Sequence, residues 1–147
     1  MNWRDDRGQV AGIEVLPFGF LIFVVGALLL ANAWSVVDAK LAVTAAAREA
    51  ARVYVESSDP GSAHAQADDA ARSVIAGHGR DGSGAVVDVE TGSFSRCSEV
   101  RAEVTVTVPS VVVPFIGGFG RSFSVSADHV ERIDPYRSGL SGAATCA

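Results

Sequence analysis

From Val15 to Ala33 the chain carries nineteen residues without a single charge, close to the roughly 20 that an α-helix needs to cross a hydrocarbon core. A run that is apolar on every side is rarely the core helix of a soluble protein. Trp34 follows at once, where an amphipathic ring sits at a membrane–water interface. Pro17 falls in the first turns, where a missing N–H costs little and the chain entry can kink. Past Trp34 the pattern changes but the helix signal does not. Ser35 to Glu56 holds no glycine or proline and is rich in alanine, a strong helix former. Leu41, Ala45, Arg48 and Arg52 fall on one side of such a helix, and Val43, Ala46, Ala50 and Val53 on another. One helix is therefore expected over residues 9–57, about 70 Å long, membrane-embedded over about residues 15–34. A plain anchor would break into a linker at the interface; a continuous rod makes the rest of the chain ride on its own helix. Its alanine-rich part, 45–51, presents small residues on several sides, suited to a sheet on one side and a neighbouring helix on the other.

Ser57-Ser58-Asp59-Pro60-Gly61 ends this helix in turn residues. Ala63 to Ala76 reads as a second helix with Ser62 as its cap, and Gly77 to Gly84 as a flexible connection. Strand patterns follow. Val86 to Glu90 alternates. Glu99 to Val108 alternates cleanly, with Val100, Ala102, Val104, Val106 and Val108 on one face. Arg121 to Ile133 alternates with Phe123, Val125, Ala127 and His129 on one face. The expectation is an α+β unit over residues 58–147: a short helix and a small three-stranded antiparallel sheet, polar on one side, with the outer half of the long helix over the apolar face. Pro109 and Pro114 keep the intervening segment 109–120 from being a central strand. Its apolar residues fit three roles: a loop over the domain's own core, a subunit contact, or a dip into the membrane surface.

Composition narrows the function. The chain has 147 residues and a net charge of −5, with 12 Lys and Arg against 17 Asp and Glu. One modest domain fits that length, and the acidic balance with scattered arginines does not make a nucleic-acid footprint. His64, His78 and His129 stand far apart in no ligand pattern, no serine lies in a nucleophile elbow, and the glycines near residue 80 lack a P-loop lysine. No enzyme, cofactor or metal is expected. Cys97 and Cys146 are too few for a disulfide scaffold and wrongly spaced for zinc. If the domain lies outside the cell they can form one bridge tying the tail to the sheet; otherwise they are two free thiols.

Gly12, Gly19 and Gly26 recur every seven residues and share a helix face, which either lets another helix approach closely or faces lipid unpartnered. Lys and Arg are nearly balanced across the span, so charge does not set its orientation. A secretory signal peptide is the competing reading, since Ala31-Asn32-Ala33 resembles a cleavage site. Against it stand the acidic residues before the run, the length of the run, and the helix pattern that continues through the cut.

The arrangement Arg7-Gly8-Gln9-Val10-Ala11-Gly12-Ile13-Glu14-Val15-Leu16-Pro17, an Ala-Ala-Arg-Glu-Ala-Ala-Arg element at 46–52, and valine–threonine strands flanking a proline-containing apolar segment together resemble the TadE-like proteins. These are minor pilin or pseudopilin components of tight-adherence (Flp, type IVc) pilus systems. The resemblance covers most of the chain; the family usually spaces its glutamate five residues after the cleaved glycine, where Glu14 lies six after Gly8. It implies a pilin-like fold, a leader over residues 1–8 removed by a prepilin peptidase between Gly8 and Gln9, and a cell-membrane subunit whose bulk is extracytoplasmic. It implies partners as well: the bilayer, other pilin-like subunits and the pilus assembly machinery, with helix packing through Gly12, Gly19, Gly26, Ala46 and Ala50. A carboxylate at the edge of hydrocarbon is costly. Glu14 of one subunit would pair with the new α-amine of a neighbour; the alternative is a Glu14 hydrated among headgroups. Outside that resemblance, the alternative function is an uncleaved single-pass anchor displaying an extracytoplasmic binding domain.

Overall fold

The computed structural model describes residues 15–109, 112–113, 117–118 and 122–146. In order these form α1 (Val15–Glu56), α2 (Pro60–Gly77), a single 3-10 turn (Gly82–Gly84), β1 (Val86–Thr91), β2 (Glu99–Val108), β3 (Val112–Val113), β4 (Gly117–Gly118) and β5 (Phe123–Arg132). The architecture is α+β. β2 is central in a three-stranded antiparallel sheet, with β1 on one side and β5 on the other; Val104 lies opposite Val87 and Ala127. Val100, Ala102, Val104, Val106 and Val108 are buried, and Arg101 and Glu103 on the other face are exposed. The expected alternation is therefore the observed one.

The cover over that apolar face is the chain's own α1, which packs on β2 and β5, while α2 lies along α1 and reaches β1. Ala39, Ala42, Val43, Ala46, Ala47, Ala50, Ala51 and Tyr54 make a buried stripe on α1 at steps of three and four. Ala63, Ala67, Ala71 and Ile75 make another on α2 at steps of four. Methyl side chains on both helices let the backbones come close. A larger side chain in the stripe has no room, so Ala46→Leu is expected to destabilise the fold by about 1–3 kcal/mol through overpacking. Denaturant unfolding in detergent reads this; an unchanged midpoint would mean the stripe is loosely packed.

Three expectations need correction. α2 begins at Pro60, and its cap is Asp59 rather than Ser62: the Asp59 carboxylate accepts from the N–H groups of Gly61 (3.2 Å) and Ser62 (3.0 Å). Those donors hold the carboxyl below its usual range. Pro60 occupies the first helical position, where its fixed φ suits the helix. Residues 77–84 are not a loose connection: Arg72 donates to the carbonyls of Gly82 (3.1 Å) and Ser83 (3.0 Å), and Asp81 caps the 3-10 turn through the Ser83 N–H (2.9 Å). The long helix ends at Glu56, one residue early. Between β2 and β5, β3 pairs with β4 in a separate two-stranded ladder. Whether the apolar side chains of 110–121 cover the core lies outside the described residues.

Candidate functional site

α1 has two halves with opposite surroundings. Over its first twenty residues it is long and apolar enough to cross a membrane, and none of the described residues buries it. Phe23 and Trp34 are each 72% exposed. Gly19 and Gly26 have open space where a side chain would project. Gly19, Phe23, Gly26, Leu30, Trp34, Val37 and Leu41 recur at steps of three and four, so they make one continuous face. Leu41, still 61% exposed, carries this face beyond the apolar run. The stripe that the sheet covers lies on the opposite side of the helix.

The alanines divide otherwise than the sequence suggested. Ala46 and Ala50 are wholly buried inside the chain's own fold; a neighbouring helix would meet Ala45, which is half-buried, and the arginines Arg48 and Arg52. Arg52 bridges Glu49 (2.5 Å) and Glu56 (2.8 Å) along this side. Its hydrogen bond and charge hold the Glu49 carboxyl below the usual range. Gly8, Gln9, Gly12 and Glu14 lie outside the described residues.

The second half of α1 is pinned at three levels. Near the exit from the apolar run, Arg80 donates to the Ser35 carbonyl (2.8 Å) and pairs with Asp38 (2.9 Å). One turn further on, the Lys40 ammonium donates to the Ser126 carbonyl of β5. At the far end the Arg137 guanidinium caps the carbonyls of Val55, Glu56 and Ser57, the groups a helix terminus leaves unpaired. Arg137 also lies over the Phe94 ring at 5.5 Å, and Phe94 meets Tyr54 edge-on. Burial pushes the Tyr54 hydroxyl above its usual range. The tail that carries Arg137 is held in turn: Arg96 donates to the Arg137 carbonyl (2.8 Å), and Cys97 and Cys146 are joined by a disulfide.

The Arg80 and Arg137 anchors span forty-two and eighty-two residues of sequence, and no local pattern marked either one. His64 sits against Tyr54 at a ring distance of 4.9 Å, exposed to solvent. His78 and His129 are placed apart from it on other elements. Among the described residues no group of three or more His, Cys, Asp or Glu side chains converges on a metal-sized site. Asn32, in the apolar run, has a buried Oδ1 with no hydrogen-bond partner among the described residues.

No protein-family model, curated protein or solved structure matches the chain.

Proposed function

We propose that the chain is a single-pass membrane subunit of a pilus-type assembly, akin to the TadE-like minor pilins or pseudopilins, and that it works by packing α1 against the helices of neighbouring subunits. The division of α1 carries this reading. One face of a single uninterrupted helix is absorbed by its own domain. The other runs bare and apolar from Gly19 to Leu41, with two glycines where a partner helix can approach. Anchoring alone does not require the helix to continue rigidly into the domain. An assembly subunit does require it, because a force or a register set by the membrane helices then reaches the folded unit without a hinge. The disulfide fits an extracytoplasmic location for that unit. In this reading the first eight residues are a leader removed before Gln9, and Glu14 answers the α-amine of the next subunit.

Photo-crosslinking in cells tests it. A photoreactive residue at Gly26 is expected to capture a second membrane subunit, and one at Ala50 only residues of the same chain. Glu14→Gln is expected to lower subunit incorporation while leaving the protein in the membrane. Equal capture from both positions, or unchanged incorporation of Glu14→Gln, would contradict helix packing through this face.

A further inference from the structure

We propose that the end of the folded unit nearest the apolar run rests in the bilayer interface, so that the protein meets lipid twice: through α1 and through the adjoining rim of the sheet. The inference depends on α1 spanning the bilayer, as proposed above. Its geometry comes from the direction of β5. Ser126 of β5 accepts from Lys40, and Arg137, five residues past the end of β5, reaches Val55 to Ser57. β5 therefore runs alongside α1, away from the apolar run.

Heights above the interface follow from this direction. Lys40 stands six residues beyond Trp34, or about 9 Å along the helix axis. Phe123 lies three residues before Ser126, which brings it about 10 Å back toward the membrane, to the height of Trp34 itself. Pro109 follows Val108, the register partner of Phe123, and so lies at or below that height. Val86 is opposite Thr105, which is opposite Ser126, and so stands level with Lys40. Headgroup layers are roughly 5–7 Å thick on each side of the hydrocarbon core. The rim formed by Phe123 and Pro109, with Val86 above it, thus falls within or just above that layer.

The chemistry of the rim suits lipid. Phe123 is 46% and Val86 65% exposed, and both stand at the start of their strands. Arg80, bonded to Ser35 and Asp38, stands within the headgroup layer, and Lys40 stands just above it. The carboxylates beside them are engaged: Asp38 is paired with Arg80, and Asp81 accepts from Ser83.

The test is tryptophan quenching by brominated lipid in the full-length protein reconstituted into phosphatidylcholine vesicles. The probe is Phe123→Trp in a Trp3→Phe, Trp34→Phe background, with Val86→Trp in the same background as a second site. Trp3→Phe with native Trp34 retained serves as the reference. An interfacial ring at Phe123→Trp is expected to lose about half its emission to lipids brominated near the carbonyl end, with less quenching from Val86→Trp. Quenching of Trp34 but not of either introduced tryptophan overturns the rim contact and leaves the spanning helix intact. Quenching of none of them overturns both.

Discussion

Reducing the Cys97–Cys146 bond lowers the stability of the folded unit by about 4 kcal/mol, the loop-closure entropy that a 49-residue cross-link removes from the unfolded chain. The loss is not spread evenly. The bond holds the tail whose Arg137 caps the last carbonyls of α1, and Arg96 helps by bonding both the Arg137 and Ser141 carbonyls. Once the bond opens, that tail can leave, and the C-terminal turn of α1 loses the partners of Val55, Glu56 and Ser57. Unfolding in detergent with and without reductant, and with Cys97→Ser/Cys146→Ser, measures the global effect. Hydrogen exchange at residues 52–57 measures the local one. A midpoint that reductant does not move, together with unchanged exchange, would show that the tail is held without the bond.

Two arginines in the middle of the apolar run are expected to eject α1 from the bilayer. Val25 and Leu29 are both exposed and lie near the centre of the run. Each change to arginine costs about 3 kcal/mol on insertion scales, and the pair lies one turn apart on one face, too far from either end for both side chains to snorkel. Val25→Arg/Leu29→Arg is expected to move the protein from the carbonate-resistant membrane fraction to the soluble or aggregated fraction. The folded unit, which does not touch these residues, should still form its disulfide when the purified protein is oxidised in vitro. A doubly substituted protein that stays carbonate-resistant would mean that something other than the apolar run holds it to the membrane.

The elements that could be read from the sequence are those whose signals are local. The alternation at Glu99–Val108 placed β2 to the residue, because one face had to be buried and the side-chain period is two. The apolar run and the alanine-rich stretch after it gave α1, and the need to cover the sheet made its outer half the candidate cover, though only the fold decides between the chain's own helix and a neighbour's. The misreadings lie where a distant group decides. Ser62 looked like a cap by type, but the carboxylate of Asp59, with proline behind it, reaches the free N–H groups first. The glycines at 77–84 looked mobile because the partner that fixes them, Arg72, lies a helix turn back on α2. Ala46 and Ala50 were legible as packing residues, but the chain's own fold takes the face on which they lie. Arg80 and Arg137, which lock α1 at two of its three levels, carried no signal, since a lone arginine in a loop pairs with whatever the fold brings to it.

The measurement that bears most directly on the assembly reading is the intact mass and N-terminal residue of the protein recovered from membranes. A mature chain beginning at Gln9 is the predicted result: it is the product of prepilin-type processing and supplies the α-amine that Glu14 would meet. A chain still beginning at Met1 would contradict the account and leave an uncleaved anchor in its place, and one beginning at Trp34 in the medium would remove the membrane helix from the mature protein altogether.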